Sequence, residues 1–429
     1  MQPTPPPKLK RELGLWASTL MGLGSILGTG VFVSIGLGAE LAGPAVLLAL
    51  GLAALVATCN GLNSAQLAAN HPISGGTYEY GYRYLNPWLG FTAGWLFLLA
   101  KSASAATAAL GFAGYLLSPL GIINDEVQVG VALLAVLGMT LTVYKGIRRS
   151  NTVNTVIVSL TLLALVFFIS VGLFRGASTG FANLWPFFGV SDVPPLRGVL
   201  QASALMFVAY TGYGRIATLG EEVRSPQQTI PRAMIVTLSL TMAIYMGVAV
   251  AGVGSVGAEV LGMATRFQGA PLAIAAQQFG LPGGAALLTL GALTAMLGVL
   301  LNLILGLSRV LLAMGRRRDM PALVAALNQN GTTPSTAVLV MGGLVMALVT
   351  LGNIKATWSF SAFTVLIYYA ITNLAALYLP DAERLYPKAL AWVGLLSCLF
   401  LAFWVDVQTW GLGLVLIGVG LVWKRCHAP

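Results

Sequence analysis

The sequence predicts an all-α integral membrane protein of about twelve transmembrane helices. Three observations predict it. The chain is 57% hydrophobic and 8% charged, with a mean hydropathy of +0.85; a soluble domain carries roughly 25% charged residues. Long apolar stretches recur along the whole chain. Two of them, five apart in order, are interrupted at mid-depth by glycine and hydroxyl residues.

The twelve stretches are 13–38, 41–68, 88–118, 127–144, 151–174, 198–219, 232–254, 283–310, 335–352, 356–379, 389–405 and 408–423. They are too long and too uniformly apolar for barrel strands, so each reads as a helix. The first is too long for a signal-peptide core and lacks a convincing cleavage site. With the N-terminus in the cytoplasm, eighteen of the 23 Lys and Arg residues fall inside, four (Arg175, Arg197, Arg266, Lys355) fall outside, and Lys101 lies within a span. That bias places both termini inside, in the inner or plasma membrane. If the first ten spans form two inverted five-helix repeats, the organisation is a cytoplasmic tail 1–12, a first repeat 13–174, a second repeat 198–379, two further helices in 389–423 and a tail 424–429. "HPISGGTYEYGYRYL", on the inner side, reads as a turn at Gly75-Gly76 followed by a short interfacial helix.

The net charge of +10 does not indicate nucleic acid, because the basic residues lie in short loops and are not interleaved with stacking aromatics. Cys59, Cys398 and Cys426 form neither a disulfide framework nor a metal spacing, and His71 and His427 are far apart, so no metal or cofactor is expected. The terminal "CHAP" is a poor lipidation signal. No nucleotide cassette is present, which argues against direct ATP drive. A membrane-embedded enzyme needs an acid/base or metal constellation, and the spans carry no Asp or Glu at mid-depth. Glu40 and Asp406 lie near outer ends. A small-molecule substrate and the bilayer are the expected partners, with no obligatory protein partner.

The interrupted stretches carry the functional signal. "MGLGSILGTGVFVSIG", residues 21–36, holds five glycines, each costing about 1 kcal/mol in a helix interior. In the sixth span, Ala209-Tyr210-Thr211-Gly212-Tyr213-Gly214 repeats the mixture of glycine and hydroxyl. A matched pair of glycine-interrupted spans in two halves points to a transporter's central site. Unwinding frees N–H groups that hold a carboxylate and C=O groups that hold an ammonium. An α-amino acid carries both charges. For Gly24 and Gly28 a small-residue helix-packing face is the competing reading.

On these residues the chain resembles the amino acid/polyamine/organocation permeases. The matching segments are "LGTGVF" with Gly28, Thr29 and Gly30; "PISGGTYEYGYRYLNPWLGFTAGW" from Pro72; "FVAYTGYGRIATLGEEVRSPQQTIPRA" from Phe207; and "LSRVLLAMGRRRDMP" from Leu307. The resemblance covers spans 1 to 10 well and the last two weakly. It implies the LeuT-like five-plus-five inverted-repeat fold with helices 1 and 6 broken. It implies that Gly28, Thr29 and Gly30 meet a substrate carboxylate. Backbone around Phe207, Ala209 and Tyr210 would receive the amino group, and Tyr213 would be a pocket wall or gate. For Tyr210 and Tyr213, lipid-facing or packing aromatics are the alternative.

Proton-coupled relatives often place a lysine in span 5 beside the first break. Thr161 stands at that position here, while Lys101 lies near the middle of span 3. A charge at mid-depth costs about 3 kcal/mol on insertion scales and marks function by default; the alternative is a lysine that snorkels to an interface. Lys101 is therefore the coupling candidate, as a proton carrier or as a fixed charge replacing sodium. Sodium itself is less favoured, with Thr294 its one weak span 8 ligand. Glu221 and Glu222 can pair with Arg215, Arg224 or Arg309 as a cytoplasmic gate, or form a solvated cluster. The expectation is a secondary transporter of neutral L-amino acids working by alternating access. A cationic amino acid, polyamine or GABA-like permease, or an exchanger, is the alternative within the class. A membrane-embedded enzyme or receptor is the alternative outside it.

Overall fold

In a computed structural model, residues 13–73, 75–146, 151–188, 193–218, 223–328 and 333–427 are described. Their regular structure is helical, and the one β-type pairing among them is an isolated bridge between Leu13 and Val223. In chain order the α-helices are α1 (Leu15–Ile26), α2 (Ile35–Ala42), α3 (Val46–Asn70), α4 (Thr77–Tyr84), α5 (Pro87–Leu117) and α6 (Asp125–Tyr144). Then follow α7 (Asn151–Ser178), α8 (Pro195–Tyr210), α9 (Gly214–Thr218), α10 (Pro226–Val256), α11 (Ala258–Gln268) and α12 (Pro271–Gln278). The last are α13 (Gly284–Arg316), α14 (Ser335–Val349), α15 (Ile354–Leu377), α16 (Lys388–Ala402) and α17 (Val407–His427).

Every apolar stretch carries a helix, because hydrocarbon leaves the backbone no partner but itself. Among the described residues, eight helical segments are long and apolar enough to cross a membrane. The helices α1, α14 and α16, of 12, 15 and 15 residues, are shorter than the usual span of about 20 residues. Helix starts follow local chemistry. Asn86, Asn124 and Asn353 cap α5, α6 and α15 by accepting the amides of Leu89, Val127 and Ala356. Proline opens α5, α8, α10 and α12, where its missing N–H costs nothing.

The short helix after Gly75-Gly76 is present as α4. One segment departs from expectation. Residues 257–282, which hold no apolar stretch long enough to span, fold into α11 and α12. Gly257 and Gly269, at φ 89° and 66°, end α10 and α11 in conformations that side chains disfavour. The buried face of α11 (Leu261, Ala264, Thr265) packs on α2. A Cβ on Gly36 of α2 would come within 1.9 Å of the Thr265 hydroxyl, so the two helices touch at backbone distance.

The centre is built from α3, α5, α8 and α15, whose apolar residues are largely buried. The helix α5 packs along α15 and α13, and α10 packs along α3 and α7. Hydroxyl pairs join α5 to α15: Ser104 with Ser361 at 2.7 Å and Thr107 with Thr357 at 2.8 Å. A buried amide cluster joins α3, α15 and α16. Asn63 donates to Asn373 at 2.8 Å, Asn373 to Asn60 at 2.5 Å, and Asn60 to the Cys398 sulfur at 3.1 Å. The outer helix α17 is held at its C-terminal end, where Lys424 pairs with the buried Asp319 that follows α13. Tyr78 and Tyr82 of α4 donate to the same carboxylate at 2.7 and 2.6 Å.

Candidate functional site

The first break begins where α1 stops at Ile26. Leu27 turns to extended backbone (φ −72°, ψ 98°) while its amide still bonds Leu23. The chain re-enters helix through a π turn at Gly30–Ser34, with the amides of Val31 and Phe32 both bonding the Gly28 carbonyl at 3.1 Å. Thr29 is 3% exposed and its hydroxyl has no hydrogen-bond partner. The second break is milder than the sequence suggested. After α8 the chain tightens into a 3₁₀ turn at Thr211–Tyr213 and resumes as α9. A 3₁₀ turn keeps i→i+3 bonds, so fewer backbone groups are released than by full unwinding.

The two breaks touch. A Cβ on Gly212 would lie 2.4 Å from the Ser25 carbonyl oxygen, and one on Gly30 would lie 2.8 Å from both the Ala209 Cβ and the Tyr245 hydroxyl. Neither Gly30 nor Gly212 has positive φ among the described glycines, so glycine is required for space rather than for backbone freedom. The Tyr245 hydroxyl, from α10, reaches the Ile26 carbonyl at 3.0 Å and the Ala209 carbonyl at 3.1 Å.

A cavity of about 170 Å³ opens at this junction. Ser25, Ile26, Thr29 and Gly30 line it from the first break, and Val208, Ala209, Thr211 and Gly212 from the second. Phe97, Val299, Trp358 and Tyr369 supply apolar walls. The lining continues along α13 through Asn302 to Arg309 and reaches Gly75 and Arg215, toward the ends of the helices that carry the basic residues. Among the described residues lining it, Lys101, Arg215 and Arg309 are basic and none is Asp or Glu.

Of the residues singled out from sequence, Thr29, Gly30, Ala209, Lys101, Arg215 and Arg309 meet at this cavity. Four others stand behind its lining. Gly28 abuts Val299, where a Cβ would lie 2.7 Å from the valine methyl. Phe207 and Tyr213 pack on Tyr369 with ring centroids 5.7 and 5.5 Å away, and Tyr210 packs on Tyr245 at 5.1 Å. Tyr210 and Tyr213 are buried, which removes the lipid-facing reading. Thr161 of α7 turns its hydroxyl to the Ile157 carbonyl of its own helix at 2.8 Å. It is Asn154, about two turns earlier, that reaches α1, donating to the Leu20 carbonyl at 3.0 Å. The Thr294 hydroxyl likewise bonds its own helix at Leu290, 2.9 Å. The α13 residues nearest Gly28 are Val299 and Ala295, neither with a side-chain oxygen. Glu221 and Glu222 lie outside the described residues.

Lys101 does not snorkel. Its ammonium donates to the Thr211 hydroxyl at 3.0 Å, and that hydroxyl donates to the Val208 carbonyl at 2.8 Å. The hydrogen bond that holds Lys101 among the described residues is therefore to the second break.

Ser25, Val208, Thr211 and Gly212 were within reach of the sequence, since they sit in the glycine-interrupted segments. Phe97, Val299, Trp358, Tyr369 and Tyr245 carried no signal that separates them from ordinary apolar span residues.

These features define a multi-pass helical membrane protein with a solute-sized central cavity. The amino acid permease family profile matches residues 17–422. An uncharacterized transporter of Mycobacterium tuberculosis is 39% identical over 416 residues, covering 97% of this chain and 91% of that protein. The branched-chain amino acid permease BcaP of Bacillus subtilis is 29% identical over 446 residues (96% and 92%). The methylthioribose transporter of the same species is 27% identical over 380 residues (83% and 80%). The chain belongs to the amino acid permease family, a family of transporters.

Proposed function

We propose that this protein is a secondary transporter that carries neutral L-amino acids across the cell membrane by alternating access. The observation that carries the reading is the meeting of two interrupted helices at one cavity. At the first break, Thr29 and the backbone of Gly28 to Gly30 offer donors to a carboxylate; the Thr29 hydroxyl is buried and without a partner. At the second, carbonyl groups around Phe207, Ala209 and Tyr210 accept from an ammonium. The apolar walls at Phe97, Val208, Val299 and Trp358 take an uncharged side chain. Lys101 on the lining, with no carboxylate among its described residues, disfavours a second positive charge on the substrate. The similarity to a branched-chain amino acid permease along nearly the whole chain supports the same class.

In this reading the apolar stretches form twelve spans, with 13–174 and 198–379 as inverted repeats and both termini cytoplasmic. The cavity then faces the cytoplasm. Arg215 and Arg309 stand at its inner mouth, and Tyr213 braces the wall through Tyr369. Lys101 couples transport to protons.

Competition for binding tests the substrate class. Purified protein is incubated with labelled leucine or alanine and challenged with unlabelled amino acids. Neutral amino acids should displace the label, and lysine, arginine and polyamines should not. Displacement by arginine or lysine stronger than by leucine or serine overturns the assignment and favours a cationic permease.

A further inference from the structure

Tyr245 lies outside every segment that signalled function in the sequence, yet it is fully buried where the two breaks meet. Its hydroxyl stands 3.0 Å from the carbonyl of Ile26, the last residue of α1, and 3.1 Å from that of Ala209, next to last in α8. A phenol has one proton, so it satisfies one of these two oxygens well at any moment. Both helices are interrupted just beyond them. Gly30 packs against the same hydroxyl with no room for a side chain. A neutral donor thus sits between the carbonyls of two broken helices, beside the cavity.

We propose that Tyr245 is an internal stand-in for the substrate's ammonium group. It is a positioning residue that holds the Ile26 and Ala209 carbonyls together while the cavity is empty and yields one of them when an ammonium arrives. The inference rests on the reading that an amino acid binds at the breaks with its amino group toward Ala209. It adds the residue that sets how strongly those carbonyls bind the amino group. The energetic logic is direct. A buried acceptor left without a donor is costly. In the native protein the phenol meets that cost at one carbonyl in the empty state, so an incoming ammonium has only the other to gain. Removing only the hydroxyl leaves both carbonyls unpaired until substrate binds, when the ammonium, with three protons, donates to both, as a single hydroxyl cannot. The empty state loses more than the loaded state, so binding tightens and release slows.

The experiment compares native protein with Tyr245→Phe, which keeps the ring. Kd is measured for a neutral amino acid and for the matching 2-hydroxy acid, which lacks the ammonium, alongside maximal uptake in vesicles. The inference predicts a roughly tenfold lower Kd for the amino acid, the size expected from one unpaired buried acceptor. It also predicts a lower maximal rate and no gain for the hydroxy acid. A weaker or unchanged Kd, or an equal gain for both compounds, overturns it, because a simple brace produces those results. If Tyr245→Phe is recovered folded only with amino acid present, the inference is supported. If it aggregates with or without amino acid, the hydroxyl is a structural brace and the inference fails. Failure of the native protein to bind any neutral amino acid removes the functional reading itself. Native binding with the wrong response to Tyr245→Phe removes this inference alone.

Discussion

The ammonium of Lys101, in the middle of α5, hydrogen-bonds the hydroxyl of Thr211 at 3.0 Å, on the first residue of the 3₁₀ turn that interrupts the second broken helix. Thr211 passes the contact on. Its hydroxyl donates to Val208 at 2.8 Å, and its carbonyl accepts from the Tyr369 hydroxyl at 3.3 Å. A charged donor at Lys101 and a wall residue of the cavity therefore act on the same turn.

If Lys101 carries the coupled proton, Lys101→Met abolishes accumulation driven by a pH gradient and leaves exchange of substrate across the membrane. Thr211→Val, which removes the acceptor but not the amine, weakens the drive without eliminating it. Uptake into proteoliposomes with imposed pH or sodium gradients measures both. A Lys101→Met protein that responds to the pH gradient as the native protein does shows that Lys101 is not the coupling group.

The two glycines flanking Thr29 should differ in tolerance. A methyl on Gly30 meets backbone of the other break, 2.9 Å from the Ala209 Cα, whereas one on Gly28 meets the Val299 side chain at 2.7 Å. Backbone cannot yield as a side chain can. Gly30→Ala should lose at least about tenfold in substrate affinity, equivalent to roughly 1.4 kcal/mol, with folding retained. Gly28→Ala should lose less, and Val299→Ala should restore it. Leucine at either position abolishes binding. Substrate-dependent thermal stabilisation reads all of these, and rescue of Gly30→Ala by Val299→Ala contradicts the assignment.

The C-terminal anchor of α17 gives a stability prediction. Asp319 is 2% exposed and holds Lys424 and the hydroxyls of Tyr78 and Tyr82. Arg317 pairs with Glu79 at 2.7 Å and lies over the Tyr82 ring at 4.1 Å. Removing one partner of a buried pair costs about 3 to 5 kcal/mol. Asp319→Ala leaves three donors without their acceptor, Lys424→Met only one acceptor with two hydroxyls still bound. Asp319→Ala should lower the melting temperature more than Lys424→Met, and Arg317→Ala, at a half-exposed pair, less than either. The reverse order contradicts this account.

How far this was legible in the sequence follows from the physics of each part. Membrane helices announce themselves because a bilayer demands long apolar runs. Thr29, Gly30 and Ala209 were legible because glycine and hydroxyl residues at mid-depth violate that demand. The helices α11 and α12 were missed because they are short and of mixed polarity, and their burial depends on docking to α2 through Gly36 and Thr265. The bounding Gly257, Gly269 and Pro271 are the residues that mark their ends. Lys101 was visible as a charge, but its partner was not, since Thr211 lies 110 residues away in sequence. Tyr245 was invisible, because an aromatic in an apolar span looks the same whether it packs or bridges two carbonyls.

The central claim is that this chain by itself moves neutral amino acids through the cavity at its two broken helices. The measurement that tests it most directly is uptake of labelled leucine and alanine into liposomes containing only the purified protein, native and Gly30→Leu side by side. The account predicts saturable uptake by the native protein, weakly inhibited by lysine or arginine, and none above empty vesicles for Gly30→Leu. Absence of uptake by correctly inserted native protein, or near-native affinity and uptake by Gly30→Leu, contradicts it.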